Sequence, residues 1–212
     1  MNSMEPREIW IWLPESRYPD CQTTYYTPLG DNTGKEGHYT VARFSKTFDF
    51  GRAVKAVTIR ASADTVFRLY ADGIFLFSGP ATPGGDFLCN NAPRPQHYAT
   101  EVTYDAAQIP SLAAGRLPLS AIVRMIPVRI CEFSQGHGGF MLDAHVLFAD
   151  GGECVCGTDE TWTAERLGAH ISYDRFDARI PADEPVPAGR RSFTKRSLKT
   201  SLTQRAVCSL KD

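Results

Sequence analysis

The sequence lacks several features that would assign it to a membrane, a secretory pathway or a nucleic-acid partner. No stretch of its 212 residues approaches the roughly 18 uninterrupted apolar residues that a membrane-spanning helix requires. The polar start of the chain has no apolar centre typical of a secretory signal, which favours a cytoplasmic location or a leader that has already been removed. The 23 basic and 24 acidic side chains nearly cancel, so neither sign of charge gives a general reason to bind nucleic acid or an anionic membrane.

Cysteine is present, but without the spacing of a metal site or of a disulfide framework. Cys154 and Cys156 would share one face of a strand, yet the nearby His137 and His145 do not complete a recognisable zinc pattern. We therefore expect reduced thiols, a core position for this close pair, and no bound metal. The six cysteines are scattered, with no Cys-x-x-Cys pair among them: Cys21, Cys89, Cys131, Cys154, Cys156 and Cys208.

Short strands and turns dominate the sequence between residues 9 and 173. Hydrophobic residues make up 42% of the chain, which is enough to build a core. Residues 55–62 alternate between apolar and polar side chains, the pattern of a half-buried strand. Asp72-Gly73 separates two runs rich in β-branched and aromatic residues, which predicts a hairpin with a type I′ turn. Strand-like runs without helical periodicity predict an all-β fold, an antiparallel β-sandwich of jelly-roll type.

One segment is the first candidate for a ligand site. Residues 80–95 are rich in Gly, Pro and Asn, and long loops in compact domains often carry function. Sugar rings stack on aromatic side chains, while Asp, Asn and Arg bind their hydroxyl groups. The alternative is a polar loop without a ligand. The candidate carbohydrate-binding residues cluster in residues 86–98, the later part of this segment and its continuation: Asp86, Asn90, Asn91, Arg94, His97 and Tyr98.

The composition changes after Pro181, where we place the domain boundary. Residues 1–181 form the predicted sandwich. Residues 182–212 have few apolar side chains and a basic excess, which predicts a poorly ordered tail. The alternatives for residues 182–212 are the start of a further domain and an arm that binds nucleic acid or an acidic partner.

The order of several motifs resembles a known family more clearly than any single motif does. The series spans roughly residues 9–179 and resembles the N-terminal β-sandwich domain of bacterial α-L-rhamnosidases, which are glycoside hydrolases. Those domains usually have asparagine where Asp72 stands, and Leu117-Pro118 replaces an asparagine-containing strand start, so an irregular start is expected there. The motifs are Trp10-Ile-Trp12, Phe44-Ser-Lys-Thr-Phe48, Phe67-Arg-Leu-Tyr-Ala-Asp72-Gly73, Thr158-Asp-Glu-Thr-Trp162 and Tyr173-Asp-Arg-Phe-Asp177-Ala-Arg179.

The resemblance implies a galactose-binding-like sandwich with no catalytic residue of its own. In the family, inverting hydrolysis is performed by carboxylates in an (α/α)₆ barrel farther along the chain, and this sequence lacks that barrel. We therefore expect the chain to be inactive alone. The implied partners are carbohydrate, including rhamnose-containing carbohydrate, and a catalytic domain outside the sequence. No cofactor is expected: calcium, which some sandwich modules of these enzymes bind, is the one alternative, and no concentrated acidic loop in this sequence demands it.

The residues themselves also offer no convincing catalytic group. Asp159 and Glu160 would point to opposite faces of a strand. Asp174 and Asp177 lie in the segment that leaves the sandwich, where solvated or salt-bridged carboxylates are expected. No Gly-x-Ser-x-Gly elbow accompanies the glycine-rich segment around His137.

Three functions therefore stay open. The first is an accessory domain that braces a catalytic domain or holds carbohydrate near it. The second is an independent, lectin-like carbohydrate-binding module, and the third is a structural interface domain without a ligand. Trp10, Trp12 and Trp162 either seal the core, dock a neighbouring domain or serve as sugar platforms.

Overall fold

Two β-sheets packed face to face account for most of the described backbone. The computed structural model describes residues 9–18, 39–80, 99–126, 138–172 and 174–191, and the backbone of residues 203–205. Within this part of the chain there are thirteen strands, and the one helix is the short 3₁₀ helix Pro110–Ala114. The predicted all-β class and antiparallel sandwich are confirmed.

The chain crosses repeatedly between the two sheets. The described strands are β1 Trp10–Trp12, β2 Thr40–Asp49, β3 Val54–Asp64, β4 Val66–Ala71, β5 Ile74–Gly79, β6 Ala99–Asp105, β7 Arg116–Met125, β8 Gly139–Phe148, β9 Glu153–Gly157, β10 Thr163–Arg166, β11 Val186–Pro187, β12 Gly189–Arg191 and β13 Thr203–Arg205. In the described residues, sheet I has seven strands in the order β12-β1-β8-β3-β6-β13, with β9 also paired to β8, and sheet II has the order β11-β10-β2-β7-β4-β5. Paired strands are antiparallel except β13, which runs parallel to β6.

Alternating side chains from both sheets form the core. In β3, Val57, Ile59 and Ala61 are fully buried, as their shared parity predicts. In β7, every second residue from Leu117 to Met125 is buried, and the residues between them are not. The residues between therefore form the outer face of sheet II.

A cluster of five aromatic side chains joins the sheets around Phe140 of β8. The Phe140 ring centroid lies 5.9 Å from that of Phe44 in β2 and 5.8 Å from that of Phe67 in β4. Trp162, just before β10, contacts the same ring at 5.9 Å, and Trp12 of β1 lies 5.7 Å from Phe44. All five side chains are buried. Because aromatic rings bury large apolar areas, this cluster is a main contribution to the packing of the two sheets.

The hairpin predicted at Asp72-Gly73 is confirmed between β4 and β5. The backbone φ angles are 51° at Asp72 and 74° at Gly73, the two positive values that a type I′ turn requires. The Asp72 carboxylate also accepts a hydrogen bond from the backbone N–H of Ser111 at 3.0 Å. The aspartate therefore ties the hairpin to the neighbouring 3₁₀ helix.

The irregular start expected for β7 is wrong. β7 pairs with β2 over its whole length, from Arg116 opposite Asp49 to Met125 opposite Thr40. Pro118 is accommodated because β4 joins only from Leu119 onward, so β7 has one neighbouring strand at the position of the proline.

The sandwich also extends beyond the boundary predicted at Pro181. β11 pairs with β10 and β12 pairs with β1, so residues 186–191 add a short strand to each sheet. The side chain of Ala188 is buried, and its backbone N–H donates to the carbonyl oxygen of Trp162 at 2.8 Å. Residues 182–191 thus belong with the sandwich, and residues 192–202 and 206–212 of the predicted tail lie outside the described residues.

Thr158 shows why the motif that ends in Trp162 suits this fold. The Thr158 hydroxyl donates to the carbonyl oxygen of Ile9 at 2.6 Å and accepts from the backbone N–H of Leu142 at 3.2 Å. The indole N–H of Trp162 donates to the carbonyl oxygen of Gly157 at 3.0 Å. These bonds hold the start of the described chain, β8 and the passage from sheet I to sheet II together.

Thr158→Val is expected to lower the free energy of unfolding by about 1–3 kcal/mol, because the shape is kept while a buried donor and acceptor are lost. Urea denaturation of both proteins measures this difference. Thr163→Val is the matched control, since the Thr163 hydroxyl donates to Ser45 at 3.2 Å in an exposed position. Equal losses in the two variants would contradict the structural role of Thr158.

Candidate functional site

The six residues of the predicted carbohydrate loop lie outside the described residues, but the attachment points of their segment are defined. Gly79 ends β5 in sheet II, and Thr100 lies near the start of β6 in sheet I. A Cβ atom placed on Gly79 would lie 2.5 Å from the Thr100 Oγ1 atom. The chain therefore leaves and re-enters the described structure at one point between the sheets. The residues concerned are Asp86, Asn90, Asn91, Arg94, His97 and Tyr98.

The three tryptophans are buried in the described structure. Their exposed fractions are 4% for Trp10, 0% for Trp12 and 0% for Trp162. They seal the core and present no ring face on which a sugar could stack. A role in docking a neighbouring domain stays a prediction, and it would have to use the residues around these rings.

The carboxylates of Asp174 and Asp177 are engaged as solvated or salt-bridged groups. Arg179 donates to Asp177 through Nε at 2.8 Å and Nη2 at 2.7 Å, and these bonds lower the pKa of the Asp177 carboxyl. The Ser172 hydroxyl donates to Asp174 at 2.7 Å and likewise lowers the pKa of that carboxyl. Both groups are therefore held ionised, which is unsuitable for a general acid.

Cys154 and Cys156 are free thiols, partly buried on β9. Burial raises the pKa of Cys154 and raises the pKa of Cys156 to about 12. A thiol that stays protonated is a poor nucleophile and a poor metal ligand. In the described ranges, no group of three or more His, Cys, Asp or Glu side chains is placed to hold a metal ion. Those ranges also contain no helix of the length and apolarity needed to cross a membrane.

On the outer face of sheet I, the described acidic and basic side chains lie beside one another in pairs. Arg60 of β3 lies 2.7 Å from Asp143 of β8, and both side chains are mostly buried. His145 of β8 lies 3.2 Å from Glu153 of β9. This face therefore offers few charged groups free to bind a ligand.

The outer face of sheet II carries a groove above β7. The floor consists of Pro118, Ser120 and Ile122 of β7, and the walls are formed by longer side chains of β2, β4 and the hairpin turn. The depression has a volume of about 330 Å³, at the small end of ligand sites. We call it the β7 groove, and its main residues are Arg43, Tyr70, Asp72, Pro118, Ser120 and Ile122.

The polar and aromatic groups of the β7 groove are held by neighbours. Arg43 donates through Nη1 to Glu165 at 2.8 Å. The ring of Tyr70 meets the ring of Phe75 edge to face, with a centroid distance of 5.7 Å. One mainly apolar depression is thus lined by the aromatic ring of Tyr70, the guanidinium of Arg43, the carboxylate of Asp72 and the hydroxyl of Ser120. This combination suits a small polyhydroxylated ligand.

No local motif in the sequence indicates the β7 groove. The available signal was parity, because Arg68 and Tyr70 share the outward face of β4 and Arg43 lies on the outward face of β2. The pairing of β7 with both β2 and β4 brings these residues together across large sequence distances. Alternation within one strand does not reveal that pairing.

A second candidate surface lies in the segment that leaves sheet II. Ile171, Phe176 and Ile180 are 43%, 63% and 39% exposed, and we call them the exit patch. The ring of Phe176 packs against His170 at a centroid distance of 5.0 Å. Burial lowers the pKa of His170, and the charge of Arg124 adds to this effect.

Comparisons with known proteins show a likeness of fold. No family model matches the chain, and no curated protein sequence matches it. An α-L-rhamnosidase from Aspergillus terreus matches with 13% identity over 91% of this chain and 22% of its own, with a TM-score of 0.50. A GH78 family rhamnosidase of Bacillus sp. GL1 matches with 19% identity over 77% of this chain and 14% of its own, also with a TM-score of 0.50.

A lectin from Pleurotus ostreatus matches with 16% identity over 74% of this chain and 34% of its own, with a TM-score of 0.44. The chain thus spans about a third of the lectin and less than a quarter of the two rhamnosidases. The resemblance stated from the motifs is confirmed at the level of the fold, as a rhamnosidase-like β-domain.

Alkylation of Cys156, followed in the peptide that also carries Cys154, is expected to be at least about tenfold slower in the folded protein than in urea. The thiolate is the attacking species, and a pKa of about 12 for Cys156 leaves roughly one thiol in 10⁴ ionised near pH 8. Peptide mapping after timed iodoacetamide treatment measures both rates. Equal rates would show that these thiols are accessible and ionisable.

Proposed function

We propose that this sandwich is a non-catalytic, carbohydrate-binding accessory domain of a rhamnosidase-like glycoside hydrolase, placed N-terminal to the catalytic domain. The whole enzyme would hydrolyse terminal rhamnosyl bonds. The fold likeness to part of two α-L-rhamnosidases supports this proposal. The matched part is less than a quarter of each enzyme, a share that suits an accessory domain.

The β7 groove is the observation that carries the carbohydrate-binding part of the proposal. Sugar rings present C–H faces that pack on aromatic side chains, and Tyr70 provides such a ring, held in place by Phe75. Arg43 and Asp72 stand on opposite sides of the groove and can bind hydroxyl groups as donor and acceptor. An independent lectin-like module would use the same groove without a catalytic domain beside it.

A bracing role without a ligand is the second candidate, and the exit patch favours it. Three large apolar side chains are exposed within ten residues of one another there. Such a patch is covered when two domains pack together. The β7 groove and the exit patch have no residue in common, so variants can separate the two roles.

Calorimetric titration is expected to show binding of L-rhamnose or D-galactose at millimolar concentration. Tyr70→Ala should weaken that binding by about tenfold or more, because the stacking surface is lost, while Tyr70→Phe should retain most of it. Phe176→Ala, in the exit patch, is the control and should bind as the parent protein does. No heat with either sugar, or equal binding by Tyr70→Ala, would exclude the groove as the site.

The chain alone is expected to show no turnover of an aryl rhamnoside, because the lowered pKa values of Asp174 and Asp177 leave neither of this pair as the general acid that the reaction requires. A continuous assay of the released phenol measures this. Turnover that is abolished by Asp174→Asn would overturn the non-catalytic assignment.

A further inference from the structure

Positive charge is concentrated on the outer face of sheet II beside the β7 groove. The strand register places Arg43 of β2 and Arg68 of β4 on either side of Ile122 in β7. Arg124 follows on the same face of β7, two residues beyond Ile122. Neighbouring strands lie about 4.8 Å apart, so the long side chains of all three arginines can reach one bound group.

Among the described residues, one of these three arginines is paired with an acidic side chain and two are not. Glu165 of β10 lies 2.8 Å from Arg43 and forms a salt bridge with it. In the described part of the chain, Arg68 and Arg124 have no acidic side chain within salt-bridge distance. This differs from sheet I, where Arg60 is paired with Asp143. As far as the described residues are concerned, two guanidinium groups of sheet II are therefore available to an anion from outside.

Arg68 and Arg124 do not line the β7 groove itself, but both lie at its Ile122 end, so the surroundings of its two ends differ in charge. Asp72 lies at the end near Pro118, and Arg124 lies six residues farther along β7, about 20 Å away at the rise of a strand. Arg68 and Tyr70 are two residues apart on β4, so they stand side by side on the same face. Asp72 is two residues from Tyr70 on the other side, so a ring on Tyr70 would lie between a guanidinium and a carboxylate.

We propose that the β7 groove binds an acidic sugar residue, a hexuronate, with its ring against Tyr70 and its carboxylate on Arg68 and Arg124. A guanidinium donates two parallel hydrogen bonds to a planar carboxylate, which makes arginine well suited to this ligand. Repulsion from Asp72 directs the acid group toward the opposite end of the groove. This inference rests on the proposed function, because it names the class of sugar that the same groove takes.

The test compares D-galacturonate with D-galactose, which differ only in a carboxylate in place of a hydroxymethyl group. Calorimetry should show at least about fivefold tighter binding of D-galacturonate, an advantage that decreases as salt is added. Arg68→Gln and Arg124→Gln should each reduce the advantage and together abolish it, with D-galactose binding unchanged. Arg179→Gln is the matched control, because that side chain is 90% exposed and lies outside the groove.

The outcomes separate this inference from the proposed function. Equal binding of the two sugars, still dependent on Tyr70, would overturn the hexuronate assignment and leave carbohydrate binding intact. Binding of neither sugar, nor of L-rhamnose, would overturn both. An acid preference that survives the double arginine variant would place the acid site elsewhere. D-galactose 6-sulfate should bind more weakly than D-galacturonate. Tighter binding of the sulfate would overturn the hexuronate assignment in favour of a sulfated sugar.

Discussion

The contact of Phe140 with the rings of the opposite sheet is the interaction on which the rest of the structure depends. Phe140 belongs to sheet I, and it packs on Phe44 and Phe67 of sheet II. Those two residues lie on β2 and β4, the strands on either side of β7. The packed inner face therefore supports the same three strands that form the β7 groove on the outer face, so the groove rests on a rigid floor.

The elements that sequence could predict are those whose signal is local. The Asp72-Gly73 turn and the alternation of β3 each depend on a few adjacent residues, and both have the expected form. The strands β11 and β12 were not predicted, because two or three residues are too few to show alternation. Their structure comes from pairing with β10 and β1, and no pattern within residues 182–191 reports those partners.

The residues of the candidate site were even harder to predict from local sequence patterns than the short strands. Composition drew attention to the segment that contains Asp86 and Tyr98, because its turn-forming residues are consecutive. The β7 groove instead combines Arg43, Tyr70 and Ser120, which become neighbours only through strand register. Their side chains are of kinds that are common on protein surfaces. The groove forms because the smaller side chains of β7 lie between longer side chains of the neighbouring strands. A groove formed in this way cannot be recognised from the order of residues alone.

The close approach of Gly79 and Thr100 has a consequence for how this domain can change. Because the connection between β5 and β6 starts and ends at one point, its length is not set by any distance that it must span. The entropy of closing such a connection rises slowly, by about 0.6 kcal/mol for each doubling of length. We therefore expect a longer connection at this position to cost the sandwich little stability. The connection between β5 and β6 is thus the place where this domain can gain residues without a change in the distance between its two strands.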